Sequence, residues 1–226
     1  MRKVLILPGT YLPGYKGGGP QRTVENICDY YSNKADIYIL ALNHDHTETI
    51  PYDVPTGKWI EKYGVHIMYV PDKDYGFGLF RHLYHEFDYI YACGLFAKAS
   101  YEMMAVNRVF RDSRKVLFVA PMGVFSKGAI SQKQKKKKIF LSAYKITGMY
   151  KNIVWSFTSN EEESDAKREL KNLSFDNCII AEDLPRLYDF ENNIKQVMEH
   201  TDISDEKCLK LVFLSRIVAK KTLSSV

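Results

Sequence analysis

Long apolar runs are missing from this sequence. No stretch of its 226 residues approaches the ~18 consecutive apolar residues that a membrane-spanning helix needs. The run Val4-Leu5-Ile6-Leu7 follows Arg2 and Lys3, as the core of a secretory leader would, but it ends at Pro8. That is short of the roughly 7–15 residues of such a core, and a buried strand is the expected reading. Cysteine is scarce and scattered: Cys28, Cys93, Cys178 and Cys208 contain no C-x-x-C pair. In a chain of this length, the spacing argues for free thiols in a reducing, cytoplasmic compartment rather than for a disulfide frame or a zinc site. No metal site is expected. Also lacking are the G-x-G-x-x-G and G-x-x-x-x-G-K-[ST] spacings, which weakens dinucleotide and Walker-type readings.

Acidic residues are absent from one segment, and this locates the charge. Between Ser126 and Lys151 there are eight lysines and no Asp or Glu, so the net +5 of the chain becomes −3 over the other 200 residues. The sequence describes a slightly acidic domain with one basic patch. With 46% hydrophobic and 26% charged residues, the composition is that of a folded globular chain and excludes collagenous or wholly disordered classes.

Strand-like and helix-like segments alternate along the chain, the pattern of an α/β fold built on a mostly parallel sheet with helices on both faces. Strands are predicted at Lys3 to Pro8, Asp36 to Leu42, Val65 to Val70, Asp88 to Ala92, Lys115 to Ala120, Ile153 to Phe157 and Cys178 to Ala181. Val24, Ile27, Cys28 and Tyr31 recur at i, i+3, i+4 and i+7, one face of an amphipathic helix. Further helices are predicted from about Leu95 to Phe110, from Ser131 to Lys145, and from Ser159 or Asn160 onward. Residues 1–185 are expected to form one Rossmann-like domain and residues 186–207 a charged linker or connecting helix. Residues 208–226 would give the first strand and loop of a second domain, with Leu209 to Leu214 as the strand. A strand with nothing after it cannot bury itself, so the chain is expected to be an incomplete one.

The residues Gly14-Tyr15-Lys16-Gly17-Gly18-Gly19 lie between the first strand and the first helix, and Pro20 stands where helices accept proline. Open α/β sheets bind ligands at this end of their strands. Glycines admit a ligand close to the backbone, and a helix N-terminus offers N–H groups to an anion. Gly17, Gly18, Gly19 and Arg22 are therefore the candidate anion- or phosphate-binding loop. A tight turn without a ligand is the alternative.

Four segments resemble, in order, the GT-B fold retaining glycosyltransferases of glycosyltransferase family 4. They are Pro13 to Pro20 followed by Glu25-Asn26-Ile27, Val119 to Phe125, Phe157 to Glu162, and Phe213-Leu214-Ser215-Arg216 with Lys220-Lys221. The resemblance implies that the chain is the N-terminal, acceptor-binding half of a GT-B fold. It implies transfer of a sugar from a nucleotide-diphosphate sugar, used as co-substrate with no further cofactor, to a glycan or lipid-linked acceptor in surface polysaccharide or glycolipid synthesis. It places Gly17, Gly18 and Gly19 in the cleft and assigns Arg216 and Lys221 to the donor diphosphate, where fixed cations stabilise the departing charge. Many members of that group carry histidine where this chain has Met122, a side chain unable to transfer a proton, so no catalytic base is assigned. The family's paired-glutamate motif and nucleotide pocket would lie beyond residue 226. A non-catalytic, membrane-peripheral or binding domain left by truncation is the alternative function, and a nucleotide-dependent enzyme using the glycine loop alone is a third.

Lys135, Lys136, Lys137 and Lys138 precede Ile139, Phe140, Ala143 and Tyr144. A basic helix with an apolar face can lie on an anionic membrane surface, which would make the chain peripheral at the inner face of the membrane. A solvated charged face is the alternative, and no nucleic-acid motif accompanies the patch. His44-Asp45-His46 reads as a polar loop rather than a metal site, and His82 and His85 as packing or surface residues. Glu161, Glu162 and Glu163 complement a helix dipole. Tyr30, Tyr31, Tyr89 and Tyr91 read as core and rim aromatics rather than sugar-stacking platforms.

Overall fold

The computed structural model describes residues 2–131, 134–171, 173, 175 and 177–187. In chain order its elements are β1 (Lys3–Gly9), α1 (Gly19–Tyr31), β2 (Asp36–Leu42), β3 (Trp59–Lys62), β4 (Val65–Val70), α2 (Phe77–Glu86) and β5 (Tyr89–Cys93). There follow α3 (Lys98–Phe110), β6 (Val116–Ala120), α4 (Lys127–Ser131), α5 (Gln134–Thr147), β7 (Val154–Phe157), α6 (Asn160–Glu169) and β8 (Cys178–Ile180). The strands make one eight-stranded sheet in the order β3-β4-β2-β1-β5-β6-β7-β8. Every pairing is parallel except β3 with β4. The expected Rossmann-like α/β architecture is present, and Met1–Pro185 form one compact unit.

Alternation along β1 explains why the sheet needs helices on both faces. Leu5 and Leu7 join the core beneath α2, α3, α5 and α6, whereas Ile6 joins Ile39, Ile67 and, from α1, Val24 and Cys28 on the opposite face. All are essentially inaccessible to water, as a central parallel strand with two buried faces requires. Burying each such side chain contributes about 1.5–3 kcal/mol. Within the first core Tyr75 is fully buried, and its hydroxyl has no hydrogen-bonding partner among the described residues. A buried polar group without a partner is destabilising. Tyr75→Phe is therefore expected to raise stability by about 1 kcal/mol, read from the urea midpoint.

Two local departures from the sequence reading have physical causes. β3 is an extra antiparallel edge strand joined to β4 by a two-residue hairpin, with Tyr63 at φ 56 and Gly64 at φ 72. In the basic segment, α5 (Gln134–Thr147) carries most of the helix expected from Ser131 to Lys145. Tyr144 does not belong to an exposed apolar face. It is buried, and its hydroxyl donates to the Leu95 carbonyl at 3.0 Å. The strand expected at residues 209–214, the expected linker from residue 188 to 207, and both Arg216 and Lys221 lie outside the described residues.

Candidate functional site

The direction in which the chain leaves β1 changes across the sheet. From β1 it runs outward through β2 and β4, then returns by way of α2 to β5 on the other side of β1. The carboxyl ends of β1 and β5 therefore flank a topological switch point, where open α/β sheets form a crevice. The glycine loop leaves β1 there. The loops that follow β6 and β7 emerge along the same sheet edge, since Leu7 pairs with Ala92 and Cys93 with Ala120.

The glycine loop is held from below by a carboxylate. Asp45, almost wholly buried, accepts the Tyr15 N–H at 2.9 Å, the Lys16 N–H at 3.2 Å and the His46 N–H at 2.7 Å. Burial pushes its pKa up, but the backbone donors of Tyr15, His46 and Lys16 outweigh burial and hold the carboxyl below its usual range. The Lys16 ammonium pairs with Glu48, and Gln21 donates through Nε2 to the Gly14 carbonyl at 2.5 Å. His44 bridges the Asp45 carbonyl and the Asp72 carboxylate. The polar 44–46 segment is thus the floor of the loop, and among the described residues no three His, Cys, Asp or Glu side chains are grouped to hold a metal.

The sign of the Asp45 effect on stability follows from its lowered pKa. A carboxyl depressed in the folded state stabilises above its unfolded pKa of about 3.9, and that contribution is lost as pH falls through the folded value. Asp45→Asn is expected to flatten the acid limb of the stability profile below about pH 4. It should also raise hydrogen exchange at the Tyr15 and Lys16 amides.

The glycines serve different needs. A β-carbon on Gly14 would collide with the Tyr52 hydroxyl and the Asp45 carboxylate, and one on Gly17 would lie 2.9 Å from Gln21 Cβ and 3.0 Å from Thr10 Oγ1. Gly18 caps α1 at φ 68 and ψ −140, a backbone conformation open essentially to glycine alone. A β-carbon on Gly19 meets nothing. The loop sheet side is thus closed by Gln21, whose Oε1 is buried without a partner among the described residues. Its outer side carries Tyr15, which is 80% exposed. Arg22 reaches Glu25 at 2.5 Å, so the cation read as an anion partner already has a carboxylate beside it.

A second anchor holds the neighbouring loops. Met122 at φ 58 and Gly123 at φ 72 take the chain through two consecutive left-handed residues after β6. Glu162, buried in the first turn of α6, accepts the Gly123 N–H through one carboxylate oxygen. Its other oxygen accepts the Thr158 N–H at 2.8 Å and the Thr158 hydroxyl at 3.0 Å. Its own N–H donates to Ser159 Oγ, which caps the helix. Glu162 was expected only to complement the helix dipole, but it also ties two site loops together. Of its neighbours, Glu163 pairs with Lys167 at 2.7 Å.

The other expected residues disperse. Lys135, Lys136 and Lys138 are exposed, while Lys137 turns inward to the Ala129 carbonyl at 2.5 Å. The exposed apolar residues beside them are Ile139, Phe140 and Ile146. Tyr31, Tyr89 and Tyr91 line an open face of the sheet rather than its carboxyl edge. His82 pairs with Glu86 at 3.0 Å and His85 rests edge-on against Phe110. No helix among the described residues is long and apolar enough to cross a membrane. Compared with known proteins, the sequence matches no protein-family model and no curated protein.

Proposed function

We propose that this chain is the acceptor-side half of a retaining glycosyltransferase that takes a sugar from a nucleotide-diphosphate donor to a glycan or lipid-linked acceptor. The observation that carries the reading is the glycine loop at the switch point, held from beneath by Asp45 and closed to any β-carbon at Gly14 and Gly17. A loop fixed in this way presents backbone N–H groups and the positive end of α1 to an acceptor without reordering, and pre-organisation of that kind favours binding. Tyr15 offers a broad aromatic face beside it, suited to the apolar face of a sugar ring. Arg216 and Lys221 remain the residues proposed for the donor diphosphate. The closing partner in this reading is an anionic membrane surface approached through Lys135, Lys136 and Lys138.

The function is tested by calorimetric titration of the chain with a disaccharide, the same disaccharide on a short isoprenoid diphosphate, and a panel of uridine, guanosine and adenosine diphosphate sugars. The reading expects an acceptor to bind and Tyr15→Ala to weaken it. Micromolar binding of a nucleotide sugar with no acceptor binding would favour a nucleotide-dependent enzyme built on the glycine loop alone.

The membrane partner has its own test. Each lysine near an anionic surface contributes roughly 1 kcal/mol, screened over about 8 Å at physiological salt. Replacing Lys135, Lys136 and Lys138 with Gln is expected to abolish salt-sensitive sedimentation with phosphatidylserine vesicles and to leave Tm unchanged. Equal sedimentation of variant and parent would make the patch a solvated face.

A further inference from the structure

Among the described residues, one face of the sheet is only half covered. α1 packs on the β1, β2 and β4 side of it, where Val24 and Cys28 meet Ile39 and Ile67. Toward β5, β6, β7 and β8 the same face opens, among the described residues, into a groove of about 710 Å³. That size lies within the range of small-molecule sites, which are typically apolar with a few placed polar groups. Val4, Ile27, Tyr91 and Phe118, each partly exposed, provide its floor and wall. A parallel sheet ordinarily hides both faces, so exposed apolar surface here calls for an occupant.

The ends of the groove differ in charge. At the amino ends of the strands Arg2 lies 5.3 Å from the centre of the Tyr89 ring, and Lys34 lies 5.2 Å from that of Tyr31. The two stand on neighbouring backbone, since Asp36 donates its N–H to the Arg2 carbonyl. Neither has a carboxylate in ion-pair contact among the described residues. At the other end stand Glu182 and Asp183, and Asp183 already accepts the Thr23 hydroxyl at 3.1 Å.

We propose that this groove binds an anionic amphiphile. Its carboxylate or phosphate sits between Arg2 and Lys34, and its hydrocarbon chain runs over Val4 and Tyr91 toward Phe118. These two cations on aromatic rings hold the head group, and the acids at the far end repel a second negative charge, which sets the direction. The span from Arg2 to Ile6 is about 13 Å, enough for a medium-length chain. The site is separate from the glycine loop and from α5, so it stands or falls independently of the proposed transfer reaction.

Calorimetric titration of the full chain tests this with decanoate, decyl phosphate, decanol and decyltrimethylammonium, each below its micellar concentration. The two anions are expected to bind. The exposed pair Arg2→Gln and Lys34→Gln together should weaken them by about tenfold or more, as loss of charge-assisted contacts implies. Ile27→Asp should abolish binding. Because Ile27 packs partly against the core, its Tm should fall too, and binding is read below that Tm on protein that circular dichroism shows to be folded. Lys135→Gln with Lys136→Gln and Lys138→Gln should leave it unchanged. Equal binding of decanol or the cation overturns the proposal, as does full binding by the Arg2 and Lys34 variant. So does loss of the anions on the α5 variant. Binding by none of the four also overturns it, and would leave the face as a seat for a protein surface.

Discussion

Gly17→Ala is expected to remove acceptor binding and to lower stability by about 1–3 kcal/mol, the usual cost of forcing atoms into a filled site. The new methyl group would enter the space of Gln21 and Thr10. Gln21 cannot swing away freely, because its Nε2 holds the Gly14 carbonyl and Glu25. The backbone of the loop must then shift, and with it the N–H groups it presents. Gly19→Ala is the internal control. Its methyl group meets open space, its φ is ordinary and the residue is exposed. Replacing glycine in such a place typically stabilises by about 0.4–1 kcal/mol. Urea unfolding and acceptor titration of the two variants side by side check the contrast. Equal behaviour of the two would show that the loop is not shaped by what lies beneath it.

Glu162→Ala is expected to cost about 1–3 kcal/mol, because it leaves half-buried donors without their acceptor. The donors are the Gly123 N–H, the Thr158 N–H and the Thr158 hydroxyl. Glu162→Gln should fall between the parent and Ala, since an amide keeps one oxygen and turns an NH2 group toward a donor. Hydrogen exchange at the Gly123 and Thr158 amides should rise in the same order. A loss below about 0.5 kcal/mol for Glu162→Ala, the size of an ordinary surface change, would contradict the role given to this carboxylate.

The parallel strands were legible because their residues obey a simple rule: Val4 to Leu7 and Ile37 to Ala41 are apolar on both faces. β3 escaped for a local reason. Its four residues Trp59–Lys62 end in two exposed charges, and the hairpin turn places tyrosine at a left-handed position usually held by Asn or Asp. The glycine loop could be placed between a strand and a helix from spacing alone. Its anchor could not, because Asp45 is 30 residues from Tyr15 in sequence and nothing local marks a carboxylate as an acceptor for distant N–H groups. Glu162 left a partial sign, since Ser159 and Glu162 have the spacing of a capping box. In the fold the serine caps as that pattern implies, but the glutamate turns to Thr158 and Gly123 instead of to the Ser159 N–H. The lysine run was read as one surface because a list of like charges does not reveal which turns inward. Lys137 does so because α4 brings the Ala129 carbonyl within its reach.

The proposed acceptor site joins the loops after β1, β6 and β7 at the carboxyl edge of the sheet. Amide hydrogen exchange of the full chain, with and without the isoprenoid-linked disaccharide, tests it most directly. The account expects new protection at Tyr15 to Arg22, at Met122 and Gly123, and at Thr158, with the rest of the sheet unchanged. Protection confined to other surfaces, or none at the glycine loop when the disaccharide is bound, would contradict it.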